Sequence, residues 1–127
     1  ELKKRGFVVA VFSGGFRNAT AHARDILGYD IDFANILHHK DRKLTGLVGG
    51  EMMFDFSKGD MILRLQELLK IGKEDTMVVG DGANDRSMFK YAKTKVAYCA
   101  KDALKKEANV IVEKKDLREV LRSVDED

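Results

Sequence analysis

Short apolar runs rich in β-branched residues alternate along this chain with stretches whose apolar residues recur at helical spacing, and that alternation leaves few folds open. Neighbouring parallel strands need a crossover, and an intervening helix supplies it. The pattern predicts strands over 7–12, 33–37, 76–79, 95–98 and 110–112. Helices are expected over 18–27, from a capping box at Ser57-Lys58-Gly59-Asp60 through Met61, Ile62, Leu65, Leu68 and Leu69, over 84–92, near 102–107, and from Asp116 onward. The stretch 38–56 differs: Asp41-Arg42-Lys43 reads as a polar turn, and the glycine-rich residues after it suggest a β-hairpin or flap. The expected architecture is α/β, a doubly wound, Rossmann-like parallel sheet, with 1–127 as a single domain and 38–56 as an insertion.

Composition narrows the function classes. At 127 residues and 44% hydrophobic content the chain is long enough for one real core. A net charge of +2, from 23 basic against 21 acidic residues spread along the chain, gives no electrostatic footprint for nucleic acid. The longest apolar runs fall far short of the roughly 18 residues needed to span a bilayer, so no membrane role is expected. Cys99 is the only cysteine, which forbids an internal disulfide, makes a reducing cytoplasm the default, and suggests a buried small hydrophobe. Lys3-Lys4-Arg5-Gly6 reads as the end of a helix, so the chain is expected to start inside one.

Three segments point to phosphate. Ser13-Gly14-Gly15 follows a predicted strand, where a hydroxyl and successive backbone N–H groups can cup an anion. Lys58 falls in the first turn of its helix, an unfavourable place for a cation beside the positive end of the dipole unless an anion comes there. Gly80-Asp81-Gly82-Ala83-Asn84-Asp85 sets two carboxylates and an amide at a strand-to-helix turn, at the strand ends where ligands of open α/β sheets collect. One or two carboxylates beside a phosphate suit magnesium. The plain reading of each is a turn, a solvated lysine and a helix cap, but two aspartates exceed what capping requires.

Together these segments resemble the second, third and fourth motifs of the haloacid dehalogenase superfamily, and within it the phosphoserine phosphatase branch. Ala34-Asn35-Ile36-Leu37, Leu44-Thr45-Gly46, Ser87-Met88-Phe89, Ala100-Lys101 and Lys115-Asp116-Leu117 extend the likeness over nearly the whole chain. The resemblance implies hydrolysis of a small phosphorylated metabolite, O-phosphoserine, with Mg2+ and through a covalent aspartyl-phosphate. It implies that Ser13 and the Gly14 amide bind phosphoryl oxygens, that Lys58 neutralises charge, and that Asp81 ligates the metal. Asn84 would contact phosphate, and Asp85 would orient Lys58 or a metal-bound water.

The resemblance also shows a departure. The family's first motif, with the nucleophilic aspartate and the aspartate that serves as acid and base, has no counterpart among the residues before Ser13. In the family that motif lies on a central strand between the one ending at Ser13 and the one ending at Asp81, so the sheet is expected to lack its centre. An N-terminal segment, from the same gene product or a partner chain, is expected to complete the site, and the cap that reads the substrate is expected outside this chain too. Asp30-Ile31-Asp32 has the aspartate spacing but follows Gly28-Tyr29 rather than an apolar strand, and reads as a decoy. His22, His38 and His39 lack the partners a zinc site needs. Met52, Met53, Phe54 and Phe56 read as flap or core packing. Two further functions stay open: a phosphatase for another small phosphomonoester, and an inactive phosphate- or magnesium-binding or interaction module that forms homodimers through open sheet edges.

Overall fold

The computed structural model describes residues 1–125, which form two compact units, 1–54 and 55 onward. Each unit holds one three-stranded sheet. After a single 3-10 turn at Lys3–Arg5, the first unit contains β1 (Ala10–Phe16), α1 (Arg17–Leu27), β2 (Ile31–Lys40) and β3 (Lys43–Gly50). β1 and β2 run parallel, and β2 and β3 form an antiparallel hairpin. Asp41 and Arg42 form its two-residue loop, with φ of 51° and 63°, the left-handed pair that matches strand twist. β2 thus starts two residues before its expected limit and continues through His38 and His39.

Three alanines favour helix in α1, which ends at Gly28. A polar contact fastens the helix to the sheet: buried Asp32 accepts from Thr20 Oγ1 at 2.8 Å and from Arg24 at 3.2 Å. Tyr29 is buried below and donates its hydroxyl to the Thr20 carbonyl. Phe12 and Phe33 meet edge to face across the β1–β2 pair, centroids 5.4 Å apart.

The second unit contains α2 (Ser57–Leu69), β4 (Met77–Gly80), α3 (Arg86–Phe89), β5 (Thr94–Tyr98), α4 (Asp102–Lys105), β6 (Val110–Val112) and α5 (Arg122–Asp125). β4, β5 and β6 are parallel, in that order, and helices cross between them, so the α/β class read from the alternation stands. Val96, Val112 and Val120 form a buried cluster with Met77, Tyr98 and Val110 against it. Phe89 is 2% exposed, burial worth about 1.5–3 kcal/mol for such a side chain.

Local expectations fail in several places. The helix at 57 has Phe56 at its N-cap and no side-chain cap bond, because Asp60 N–H reaches the Phe56 carbonyl and puts Ser57 inside the first turn. On that helix Leu68 is 74% exposed and Gln66 takes the buried position, since its amide donates to Thr76 Oγ1 and the Tyr91 carbonyl, both at 2.9 Å. The helix expected over 84–92 begins as a 3-10 turn at Ala83–Asp85 and α3 ends at Phe89. Cys99 is exposed, with φ 45°: its backbone turns out of β5, its N–H bonding the Val112 carbonyl. Among the described residues, no helix is long and apolar enough to cross a membrane.

Candidate active site

β4 is the element that organises the second unit's site. Its last residue, Gly80, is buried, and Asp81 follows at the strand's carboxyl end. The chain then turns so sharply that a Cβ on Gly80 would lie 2.5 Å from the Asp85 Cβ, so no other residue fits there without movement. The tight approach lets Asp85 fold back over the turn. Its Oδ2 accepts from the Asp81 and Gly82 N–H groups at 2.9 and 3.1 Å. A carboxylate reaching back to the N–H before a helical turn is half of a capping box, and here it shapes the whole loop.

The other oxygen, Oδ1, accepts from Lys58 Nζ at 2.5 Å. Both side chains are buried, 9% and 6% exposed, so each charge depends on the other. Lys58 stands in the first turn of α2, as expected, and Asp85 supplies the negative charge that offsets the helix dipole there. The ammonium donates one of its three protons to Asp85, leaving two directed elsewhere. Ser87 braces this corner, its Oγ accepting from Gly59 N–H at 2.9 Å.

Asp81 and Asn84 contrast with Asp85. Both side chains are exposed, and neither makes a side-chain hydrogen bond or ion pair among the described residues. Asp81 therefore offers a hard oxygen donor beside a paired lysine. Among the described residues no group of three His, Cys, Asp or Glu side chains converges. Asp81 would supply one carboxylate to a metal whose remaining ligands come from water, phosphate oxygens or groups outside these residues, the mixed oxygen shell Mg2+ ordinarily takes. The residues present fit that ion.

Ser13 and Gly14 belong to the first unit. They lie within β1 rather than in a turn after it, where the strand bulges: the register passes from Phe12↔Phe33 to Phe16↔Asn35, four steps against two. The extra residues swing out of the ladder, so Gly14 and Gly15 are exposed and Ser13 half-buried. Gly15 N–H donates to Ser13 Oγ at 3.0 Å. Asn35, which the sequence reading left without a role, donates to the Gly14 carbonyl at 3.2 Å. An amide inside the apolar run Phe33-Ala34-Asn35-Ile36-Leu37 was the available signal, since a buried polar group must find partners.

The remaining residues are either engaged in structural contacts or exposed. Asp30 accepts from Val9 N–H at 2.9 Å and pairs with Lys3, while Asp32 holds α1, so the decoy's carboxylates are both engaged. His22, His38 and His39 are exposed, and His38 Nδ1 lies 2.7 Å from Thr45 Oγ1. Met52 is buried, 6% exposed, whereas Met53 is 44% exposed.

Fold and constellation define a class: an α/β protein with its polar chemistry beyond the carboxyl ends of parallel strands, a lysine locked to an aspartate, and a second carboxylate left available. Residues 52–121 match the haloacid dehalogenase-like hydrolase family, and the chain belongs to it. It is 65% identical over 121 residues to a phosphoserine phosphatase of Wolinella succinogenes and 51% identical over 124 residues to one of Methanocaldococcus jannaschii. These alignments cover 95% and 98% of this chain and 59% of each relative. The chain thus spans about three-fifths of the length of these curated relatives. Its fold superposes with a TM-score of 0.91 and 51% identity on a phospho-aspartyl intermediate analogue of phosphoserine phosphatase, covering 96% of this chain and 58% of that one.

Proposed function

We propose that this chain forms most of a magnesium-dependent phosphoserine phosphatase, which hydrolyses O-phospho-L-serine to serine and phosphate in the cytoplasm as a step of serine formation. The observation that carries the reading is the Lys58–Asp85 pair beside an available Asp81, in a chain so similar to phosphatases of that name. The reaction needs an aspartate nucleophile, which this reading assigns to a segment outside these residues, from the same gene product or a partner chain.

In this scheme a carboxylate oxygen of that segment attacks phosphorus, the P–O bond to the serine oxygen breaks, and the second aspartate of the segment protonates the leaving oxygen. Water then attacks phosphorus, gives its proton back to that aspartate, and frees the nucleophile with inorganic phosphate. Such displacements are catalysed mostly by positioning and charge. The Ser13 hydroxyl and Gly14 N–H donate to phosphoryl oxygens, and Asn84 contributes its amide. Lys58 directs its two remaining protons at nucleophile and phosphate, held there by Asp85. Asp81 would hold Mg2+, whose two charges stabilise the phosphoryl oxygens when it is bound.

Release of inorganic phosphate from O-phospho-L-serine with Mg2+ tests the proposal, using this chain of verified mass alone and with the N-terminal segment supplied. Activity only on complementation is the expected result. No activity from a folded complex would move the reading to an inactive phosphate- or magnesium-binding or interaction module, and preference for another phosphomonoester would move the substrate assignment.

A further inference from the structure

Asn35 is among the most buried polar residues of the described chain, at 3% exposure, and all of its bonds run to backbone. Its Oδ1 accepts from Met52 N–H at 2.9 Å, and its Nδ2 donates to the Met52 carbonyl at 3.1 Å and to the Gly14 carbonyl at 3.2 Å. The first two bonds imitate a strand pairing and anchor the amide against the segment that returns from the β2–β3 hairpin. Gly50 leaves room for this: a Cβ there would lie 2.7 Å from the Asn35 Cα, and its φ of +133° suits no side chain. With two bonds fixing the carboxamide plane, the third is directional.

That third bond reaches the bulge of β1 at a telling atom. The Gly14 carbonyl and the Gly15 N–H belong to one planar peptide group and point in opposite directions. Fixing the carbonyl therefore fixes the N–H, and the Gly15 N–H donates to Ser13 Oγ at 3.0 Å. A serine oxygen that accepts from the backbone keeps its own proton for another acceptor. Donation into the carbonyl also polarises the peptide and strengthens the next bond in the row.

We infer that Asn35 is a positioning residue that acts through the Gly14–Gly15 peptide to hold and polarise the Ser13 hydroxyl for donation to a phosphoryl oxygen. The inference rests on the phosphatase reading of Ser13 given above. It makes Asn35 part of the site without contact to substrate, and ties the bulge to the hairpin return at Met52.

A double-mutant cycle in the whole protein tests it, with kcat/KM for O-phospho-L-serine as the readout and thermal unfolding as the check on folding. Ser13→Ala is expected to lose about 10- to 100-fold, the worth of a hydrogen bond to a charged group. Asn35→Ala should lose about 3- to 30-fold in otherwise wild-type protein and nothing further once Ser13 is alanine. Asn35→Asp keeps the acceptor for Met52 N–H but cannot donate to Gly14 when ionised, so it carries the same test if the alanine variant does not fold. It should lose at least as much as alanine does. Thr20→Val, a structural change in the same unit, should leave kcat/KM unchanged. Losses that multiply in the double variant, as a purely structural role predicts, would overturn the inference and leave the reading of Ser13 intact. Full activity in Ser13→Ala would overturn that reading and this inference with it.

Discussion

Each unit carries a close pair of aspartates, and their environments are opposite. In the first unit Asp32 is buried between Thr20 and Arg24, and Asp30 is taken up by Val9 N–H and Lys3. In the second, Asp85 is saturated by Lys58 and two backbone N–H groups, while Asp81, four residues earlier, keeps its carboxylate exposed and unpartnered among the described residues. Spacing does not separate the two pairs. What separates them is the oxygen left over after the fold has taken what it needs.

The largest consequence falls on Asp85. Asp85→Ala leaves a buried ammonium unpaired and two N–H groups without their acceptor, so unfolding in urea should show a loss of about 3–5 kcal/mol. A loss below about 1 kcal/mol would mean that Lys58 reaches water, and the contrast with Asp81 would collapse. Asp32 is expected next. Asp32→Ala breaks a buried hydrogen bond and a half-exposed ion pair, a loss of about 1.5–3 kcal/mol. Phosphate release per folded molecule should be unchanged by it, and any fall in kcat would move Asp32 into the site.

Much of this contrast was legible in the sequence, but unevenly. Lys58, Asp81 and Asp85 were readable because each breaks a local rule: a cation at a helix start, and two carboxylates where one would cap. The parallel strands of the second unit were readable from short β-branched runs. Partnering was not readable. Nothing local shows that Asp32 meets Thr20 and Arg24, that Gln66 rather than Leu68 turns inward, or that Asn35 reaches Gly14, because each bond joins segments that only tertiary structure brings together. The bulge at Ser13-Gly14-Gly15 was missed for a related reason. A glycine pair after a strand fits a turn and a bulge equally well, and the β2 register decides between them.

Asp81 gives the sharpest form of the comparison, because stability and activity should separate. An exposed carboxylate with no partner contributes little to folding, and Asp81→Asn should stay within about 0.5 kcal/mol of the parent. In the complemented phosphatase assay the same change should cost about 100-fold or more, with part of the loss recovered at high Mg2+. Equal activity would show that the leftover oxygen does no chemistry.

The smallest effect belongs to Asp30 and has a pH signature. The Val9 N–H bond, followed by Lys3, holds its carboxyl below the ordinary aspartate value of about 3.9. A carboxyl that is more acidic folded than unfolded adds stability that is fully present above that ordinary value and is lost as pH falls toward the folded one. Asp30→Asn can still accept from Val9 but does not titrate, so its urea midpoint should fall less steeply than the parent's below about pH 4. Parallel curves would show that the Asp30 charge matters to neither state. Salt divides the two causes further. Lys3 is half-exposed, and its share should shrink at high ionic strength, while the short-range bond to Val9 should persist. A pH difference that survives salt therefore assigns the structural role of this aspartate to the backbone, the same kind of partner that engages Oδ2 of Asp85.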